Sequence, residues 1–545
     1  MAETRNLPWL RFYDEGVPHT VSYPQTTMPQ LLDKAAATVP EHTAIIFAGQ
    51  EITYRVLAGM VHRLAGVLAR LGVKKGDRVA LMSPNCPQYV VAYMAIQKAG
   101  GVVVQVNPMY VERELEYILT DSGAEVIVAY DALYPRIRNI CGATPLKHVI
   151  LFALGQPVVE APPGVLWMEQ LLADAPAAAP TVEIDPAADL AVLQYTGGTT
   201  GFPKGAMLTH RNIVANAVQT AVWFAGCEYG REKVLAVLPF FHVYGMTVAM
   251  NLAVLMGYTQ IILPRFEVTQ VLECIHAYKP TLFPGAPTMY VAINNHPEVG
   301  KYDVRSIRYC ISGSAPLPVE VANRFEELTG GYLVEGYGLT EASPVTHCNP
   351  LRGRRKVGSI GLPFPDTLCK IVDLETGERE LPPGEPGELC VKGPQVMKGY
   401  WNMPAETSKV LRDGWLYTGD IARMDEEGYF YIVDRKKDMI IAGGFNIYPR
   451  EVEEVLFEHP KVLEAAVVGI PDPYRGETVK AYVVLKEGQT ATAEELMAFC
   501  RSKLAAYKVP RQIEFRESLP KTIVGKALRR LLREEELAGK NKVKA

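Results

Sequence analysis

The chain has 545 residues, of which 48% are hydrophobic and 21% are charged, an ordinary composition for a globular protein with more than one domain. Its net charge of −4 argues against a general nucleic-acid binder, and its nine cysteines form no CxxC pair that would indicate a structural zinc site. Scattered thiols without a signal peptide or a long apolar stretch predict a cytoplasmic protein, with peripheral membrane association left open.

The first elements alternate between strand and helix patterns. Arg78–Met82, Gly101–Val106 and Glu125–Ala129 are short β-branched runs, which predict strands, while Cys86–Lys98 and Glu112–Ser122 have helical patterns. This β–α–β–α–β order predicts a parallel sheet covered by helices. We therefore expect an α/β fold for the large N-terminal part of the chain.

Later segments differ from the first in composition and in sequence pattern. Gly155–Pro180 is rich in Ala and Pro and is predicted to be a connector. Closely spaced turn residues from about 355 to 434 predict a small antiparallel β-unit, and mixed helix and strand patterns after 434 predict a compact α+β domain. We predict an N-terminal domain over 1–434 and a mobile C-terminal domain over 435–545.

The segment YTGGTTGFPKG at 195–205 gives the clearest indication of a binding site. It follows the strand-like Leu190–Gln194 and precedes the helix-like Arg211–Val222. Glycines allow close backbone approach, and amides, threonine hydroxyls and Lys204 together suit a polyphosphate. The Walker A pattern is absent. A flexible surface turn and the phosphate loop of an ATP phosphotransferase, which would make ADP, are the alternatives.

Six segments in chain order resemble the acyl-activating (adenylate-forming) superfamily, which includes acyl-CoA synthetases, beetle luciferases and peptide-synthetase adenylation domains. The resemblance covers essentially the whole chain. Besides the loop at 195–205, the segments are LPFFHVYG at 238–245, GYGLTEASP at 336–344, GWLYTGD at 414–420, DRKKDMIIAGGFNIYPREVEEVL at 434–456 and PKTIVGKALRR at 520–530.

The resemblance implies a binding site for ATP with Mg²⁺. It puts Tyr337, with Gly338 beside it, against adenine, Thr340 near the α-phosphate and Glu341 on Mg²⁺; one carboxylate plus substrate phosphates is normal magnesium chemistry. It also implies that Asp420 and Arg435 contact the ribose. The implied phosphate-loop residues are Thr196, Gly197, Gly198, Thr199, Thr200, Gly201 and Lys204. By themselves these residues also fit turns, caps and surface charges.

The resemblance also implies an acyl site. His242, which alone would more often be a core histidine, is expected to orient the substrate carboxylate. A fatty carboxylate is already ionised at neutral pH, so His242 need not act as a general base. Small Gly313 and Ala315 are expected to leave room in the pocket, whose other implied walls are Val243, Met246 and Thr247.

The remaining implied roles lie near the C-terminus. Lys526 is expected to neutralise charge as the carboxylate anion attacks the α-phosphate, because an anion must attack an anion. Lys437 matches the family's hinge, and Gly443 and Gly444 would leave a channel for the pantetheine arm of CoA. A solvated lysine and a tight turn are the alternatives.

These features predict an AMP-forming acid–CoA ligase. The segment VNPMYVERELE at 106–116 resembles bacterial long-chain fatty acyl-CoA ligases, so a long-chain fatty acid is favoured, with medium-chain and aryl acids such as coumarate as alternatives. No carrier domain follows, which favours free CoA as the acceptor. A homodimer is left open.

Overall fold

The computed structural model describes residues 7–159, 164–176, 178–196, 203–442, 445–473, 475–521 and 527–543. The chain divides into two compact units, one formed by Met1–Leu368 with Val391–Leu416 and the other by Cys369–Cys390 with Tyr417–Ala545. The predicted boundary after residue 434 falls within the strand Phe430–Arg435 and stays a prediction. Within the described residues, no helix is long and apolar enough to cross a membrane.

The first unit contains an eight-stranded sheet. From one edge its strands are Gly399–Tyr400, Lys204–Thr209, Leu190–Thr196, Val102–Val106, Arg78–Met82, Val126–Tyr130, His148–Phe152 and Val165–Trp167. The six strands from Leu190–Thr196 onward are parallel, and the first two pair antiparallel with their neighbours. The predicted α/β fold is therefore confirmed, and its central strands are buried throughout, as parallel strands covered on both faces are.

The helices associated with this sheet are amphipathic or wholly buried. Pro87–Lys98 and Glu112–Ser122 confirm the predicted helices. Tyr134–Ile140, Met168–Asp174 and His210–Trp223 follow later strands, and Met28–Thr38 and Tyr54–Arg70 precede the sheet. Residues Leu115, Ile118 and Leu119 pack with the sheet residues Val104 and Ile127 in one apolar core.

The predicted connector at 155–180 is wrong in part. Val165–Trp167 forms the edge strand of the large sheet, paired in parallel with His148–Phe152, and Met168–Asp174 is a helix. The strand has only three residues, which is too short for an alternating pattern to stand out from the surrounding alanines and prolines. Residues 160–163 and 177 lie outside the described part.

Two smaller sheets complete the first unit. One has the order Lys233–Ala236, Thr259–Ile262, Thr43–Phe47 and Gln50–Thr53, and the other Tyr309–Ser312, Tyr332–Gly338, Val345–Cys348 and Leu362–Pro363. The helices of this region are Val243–Gly245, Leu252–Met256, Val268–Tyr278, Pro287–Asn294, Val319–Thr329 and Pro404–Val410, with a π-helical turn at Met246–Asn251. Tyr309–Ser312 and Tyr332–Gly338 are parallel, so their carboxyl ends lie side by side.

A five-stranded sheet lies within the residues of the predicted small β-unit. Its strands are Leu368–Val372, Gly387–Lys392, Trp415–Met424 and Phe430–Arg435, and the short Leu411–Arg412 pairs with the start of Trp415–Met424. The final α+β part has a long hairpin, Val462–Asp472 with Gly476–Leu485, flanked by Ile440–Ala442, Phe445–Ile447 and Gln512–Phe515. Its helices are Pro449–Phe457, Ala493–Arg501 and Arg529–Val543.

Candidate functional site

The strands on either side of the glycine–threonine segment form a hairpin. Leu190–Thr196 runs antiparallel to Lys204–Thr209, with Thr196 opposite Lys204. Tyr195 is buried, and its hydroxyl donates a 2.6 Å hydrogen bond to Asp121 Oδ2, which anchors the outgoing strand. The five predicted residues Gly197, Gly198, Thr199, Thr200 and Gly201 lie outside the described residues. The hairpin nevertheless fixes both ends of the predicted phosphate loop.

Lys204 points to a carboxylate that the sequence did not single out. Its Nζ forms a 2.5 Å ion pair with Glu406 Oε2 and lies 5.2 Å from the centre of the Tyr400 ring. Glu406 also pairs with Lys409 through its other oxygen. Hydrogen bonds from Lys204 first, and then from Lys409, lower the pKa of Glu406 to about 2. A fully ionised carboxylate therefore neutralises the lysine of the predicted phosphate loop.

The backbone explains why residues two hundred positions apart meet. Gly399–Tyr400 pairs antiparallel with Lys204–Thr209, and the Trp401 amide donates a 2.7 Å hydrogen bond to the Gly205 carbonyl. Pro404–Val410 then begins with proline, which favours a helix start, and places Glu406 in its first turn. No sequence pattern could have revealed this pairing, because buried and partly exposed residues do not alternate along Lys204–Thr209 and the partner strand has only two residues.

Glu341 lies on the other side of Tyr400. The Tyr400 hydroxyl donates a 2.7 Å hydrogen bond to Glu341 Oε1, and the Met397 amide bonds to the Glu341 carbonyl at 2.8 Å. Burial of the phenol, and then the Glu341 charge, raise the pKa of Tyr400 well above its usual value, so it stays a donor. Glu341 is partly exposed within the short 3₁₀ turn Thr340–Ala342.

Glu341 fits a magnesium ligand in its donor chemistry. Its carboxylate is a hard oxygen donor, and the Tyr400 hydroxyl bonds to only one of its two oxygens. No group of three or more His, Cys, Asp or Glu side chains in the described part could hold a metal by itself. Such a single carboxylate suits Mg²⁺ that arrives with substrate phosphates, because magnesium is commonly held by one or two carboxylates plus phosphate oxygens.

Predicted residues of the acyl pocket and of the adenine side stand at the carboxyl ends of two parallel strands. Gly313 follows Tyr309–Ser312, while Tyr337 and Gly338 end Tyr332–Gly338. A Cβ on Gly338 would lie 2.4 Å from the Pro344 carbonyl oxygen, so the turn before Thr340 admits no side chain there. Tyr337 is partly exposed and packs edge-on against His347, with ring centres 5.9 Å apart. Ligands bind at such strand ends in many α/β folds.

The segment that carries His242 packs beside these strand ends. The Tyr244 amide donates to His242 Nδ1 at 3.3 Å, and burial lowers the pKa of His242 to about 4, so the imidazole is neutral at pH 7. The Tyr244 hydroxyl bonds to the Ile311 carbonyl at 2.8 Å, and its ring lies against Gly313, where a Cβ would come within 3.0 Å of it. Ala315 is partly buried two residues further on.

Gln194 connects this segment to the phosphate-loop hairpin. It lies two residues before Thr196, and its Nε2 donates a 3.0 Å hydrogen bond to the Phe241 carbonyl, the residue before His242. The predicted acyl-site and phosphate-site segments are therefore joined by a direct contact. Met246 and Thr247 are fully buried, and the Thr247 hydroxyl donates to the Ser343 carbonyl at 2.6 Å.

The predicted ribose contacts lie in the second unit. Asp420 and Arg435 are opposite each other on neighbouring antiparallel strands, with Arg435 Nε 3.2 Å from Asp420 Oδ1. Lys437 lies in the turn that follows. Desolvation of its ammonium, and then the nearby Arg435 charge, lower the pKa of Lys437 to about 8. Gly443, Gly444 and Lys526 lie outside the described residues, so their predicted roles stay predictions.

Comparisons with known proteins agree with the resemblance. Residues 32–401 match the AMP-binding enzyme family, and residues 451–526 match the AMP-binding enzyme C-terminal domain. The chain is 52% identical to a long-chain-fatty-acid–CoA ligase of Bacillus subtilis (strain 168), covering 97% of this chain and 98% of that protein. It is 40% identical to a feruloyl-CoA synthase of Amycolatopsis sp, covering 91% and 96%.

A solved structure agrees as well. The fold matches ATP-bound MatB from Rhodopseudomonas palustris with a TM-score of 0.84 and 33% identity, covering 94% of this chain and 99% of that one. Both the sequence likeness and the structural likeness thus extend over nearly the whole length of the chain.

Proposed function

The chain belongs to the AMP-binding enzyme family, and from that premise we propose that it is an AMP-forming acid–CoA ligase for long-chain fatty acids. The observation that carries the proposal is the polar arrangement around Tyr400. This residue contacts Glu341 through its hydroxyl and Lys204 through its ring, and its strand pairs with the hairpin of the predicted phosphate loop. The full-length likeness to the Bacillus subtilis ligase supports the choice of acid.

ATP would lie with its phosphates against the hairpin. Lys204 supplies an ammonium to the β- and γ-phosphates, and the loop amides and threonine hydroxyls supply donors. Tyr337 offers an aromatic face to adenine, and Asp420 accepts hydrogen bonds from the ribose hydroxyls, with Arg435 as a second contact. Glu341 would hold Mg²⁺, which when bound would neutralise negative charge on the substrate phosphates.

In the first half-reaction a carboxylate oxygen of the fatty acid bonds to the α-phosphorus, and the bond from that phosphorus to pyrophosphate breaks. Lys526 neutralises the charge that builds up between the two anions. His242 takes up no proton, because its lowered pKa keeps it neutral; it orients the carboxylate through its imidazole N–H. Thr340 contributes a hydroxyl near the α-phosphate.

In the second half-reaction the CoA sulfur bonds to the acyl carbon, AMP leaves with the electron pair of the broken C–O bond, and the thiol proton passes to solvent. Gly443 and Gly444 leave space for the pantetheine arm. Lys437 serves as the hinge between the two half-reactions, and hinges absorb a large backbone change in few residues.

A second candidate acid is an aryl acid. The 40% identity to a feruloyl-CoA synthase favours it, and so does the Tyr244 ring that fills the space beside Gly313. The buried apolar residues Val243 and Met246 fit either an acyl chain or a ring. Because each methylene contributes only about 1–3 kcal/mol of discrimination, chain length must be measured rather than inferred from the pocket.

A reducing compartment agrees with the chemistry of the thiols. All nine cysteines are free in the structure, and most are buried. We therefore propose a cytoplasmic location.

The decisive experiment is acid-dependent exchange of labelled pyrophosphate into ATP, with acids from acetate to oleate together with coumarate and ferulate. We expect exchange to be strongest with long-chain fatty acids, and AMP and an acyl-CoA thioester to accumulate when CoA is added. Preference for ferulate would favour the aryl candidate. Acid-dependent production of ADP instead of AMP would overturn the proposal in favour of a phosphotransferase.

A further inference from the structure

Lys204, the cation of the predicted phosphate loop, already has an anionic partner in the structure. Its Nζ is paired with Glu406 at 2.5 Å, and the Lys204 side chain is only 20% exposed. The Tyr400 ring covers another side of the ammonium at 5.2 Å. A triphosphate that binds this lysine must therefore take the place of a carboxylate rather than of water alone.

Hydrogen bonds of the backbone keep Glu406 at this position. Trp401 is hydrogen bonded to Gly205, directly after Lys204, and the Tyr400 amide donates a 2.8 Å hydrogen bond to the Thr407 hydroxyl. The helix Pro404–Val410 thus begins next to the strand that starts at Lys204. Glu406 and Lys204 cannot move far apart without breaking this pairing.

Glu406 also has a second cation available. Lys409, one helical turn further along, pairs with the other carboxylate oxygen and is 67% exposed. When Lys204 turns to a phosphate, Glu406 keeps an ion pair and is not left as an uncompensated charge. This second partner lowers the cost of releasing Lys204.

We propose that Glu406 is a positioning residue that acts as the exchangeable counter-ion of Lys204, so that it competes with the phosphates of ATP and pyrophosphate for the same ammonium. The inference rests on the proposed function, because it assumes that Lys204 binds phosphate. The competition weakens the binding of both polyphosphates and favours release of pyrophosphate after the acyl-adenylate forms.

The test is equilibrium binding of pyrophosphate and of ATP by titration calorimetry, with and without Mg²⁺. In Glu406→Gln we expect both to bind about two- to fivefold more tightly, the range expected for losing one solvent-accessible ion-pair competitor. Glu320→Gln is the matched control, since Glu320 is also acidic and also lies in the first turn of a helix, and we expect no change in polyphosphate binding there.

Lys409→Met provides a second variant, in which the affinity for pyrophosphate should change in the opposite direction. Without Lys409, Glu406 pairs with Lys204 alone and competes more strongly, so we expect pyrophosphate to bind about two- to threefold more weakly. In the Glu406→Gln background this effect should vanish, which separates competition from a general loss of positive charge. Glu406→Gln should likewise change nothing when Lys204 is replaced by Met.

Unchanged or weaker polyphosphate binding in Glu406→Gln, with the thermal unfolding temperature of the wild type, would overturn the proposal. If Glu406→Gln fails to fold, the result with Lys409→Met decides, because tighter or equal binding in that variant contradicts competition. Failure of the proposed function has a different signature: the wild-type protein itself would bind neither ATP nor pyrophosphate.

Discussion

Two cations, Lys204 in the first unit and Arg529 in the second, both form ion pairs, but the number and the burial of their acidic partners differ. Lys204 has one carboxylate, Glu406, whose side chain is 32% exposed. Arg529 contacts three, and one of them, Asp434, has a side chain that is only 1% exposed. Lys204 is thus paired with one partly exposed carboxylate, whereas Arg529 is held mainly by the largely buried carboxylates of Asp434 and Glu453.

The geometry of Arg529 explains its role. Its Nε and one terminal nitrogen donate to both oxygens of Glu453, at 2.9 and 2.6 Å, and its other terminal nitrogen donates to Asp434 at 3.0 Å. Asp434 is the second-last residue of the strand Phe430–Arg435 and Glu453 lies on the helix Pro449–Phe457. Arg529, at the start of the last helix, therefore connects three elements. A planar guanidinium suits such fixed bidentate pairing, whereas a flexible ammonium suits exchange.

The largest expected effect follows from breaking the enclosed network. Arg529→Ala leaves Asp434 and Glu453 as buried carboxylates without their main cation, and breaking a buried pair in this way costs about 3–5 kcal/mol of unfolding free energy. We expect urea unfolding to show this loss. The control is Arg530→Ala. Arg530 forms a 3.6 Å ion pair with Glu534 in which both side chains are about half exposed, so its loss should lower the free energy of unfolding by less than about 1 kcal/mol. Equal effects of the two variants would contradict the comparison.

The next effect concerns Lys526, three positions before Arg529 in the sequence. If Lys526 neutralises charge in the first half-reaction, Lys526→Ala should lower adenylate formation by about 10²–10³-fold, as loss of one charge-stabilising donor does. Thioester formation from supplied acyl-adenylate should be largely preserved. Rapid-quench measurement of each half-reaction checks this expectation, and an equal loss in both would contradict the assigned role.

A smaller effect is expected at the residue between Lys204 and Glu341. Tyr400→Phe keeps the ring under Lys204 but removes the hydrogen bond to Glu341, and a bond to a charged group contributes about 1.5–3 kcal/mol. We expect about a tenfold higher Mg²⁺ concentration for half-maximal adenylation, with most of the rate recovered at high Mg²⁺. Tyr13→Phe, which loses a hydroxyl bond to the Pro363 carbonyl, is the control and should leave the Mg²⁺ requirement unchanged. If Tyr400→Phe and Tyr13→Phe need the same Mg²⁺ concentration for half-maximal adenylation, Tyr400 does not support the metal site.

The smallest effect is a pH dependence at Lys437. Its folded-state pKa of about 8 lies below the ordinary value of 10.5, so between these values the unfolded chain binds more protons than the folded one. This group therefore adds stability as the pH rises from about 8 to 10.5. Between pH 8 and 10.5 the free energy of unfolding should rise less with pH in Lys437→Met than in the wild type. Parallel curves would show that Lys437 titrates normally.

The fold was predictable wherever one segment carried a strong pattern. Arg78–Met82 and Glu112–Ser122 have the bounds that their residues predict, because apolar alternation and helical spacing are local signals. The edge strand Val165–Trp167 was missed, since three residues carry too little pattern. The family resemblance likewise named Glu341 and Lys204 from short motifs.

The partners of those residues could not be predicted. Tyr400 and Glu406 reach Lys204 only because a two-residue strand, Gly399–Tyr400, pairs with Lys204–Thr209 about two hundred positions earlier. Such pairing depends on the three-dimensional path of the chain and leaves no local signal in the sequence. The neutral state of His242 was also hidden, because it results from burial rather than from its neighbours in the sequence.

The hydrogen bond from Gln194 to the Phe241 carbonyl has a consequence for attempts to redesign the acid preference. The segment 241–247, which would line the acyl pocket, is hydrogen bonded through Phe241 to the strand that leads into the predicted phosphate loop. We therefore expect a bulkier or smaller side chain at 241–247 to disturb the binding of the nucleotide as well. Variants selected for a new acid should therefore show altered KM values for ATP even when no nucleotide-facing residue has been replaced.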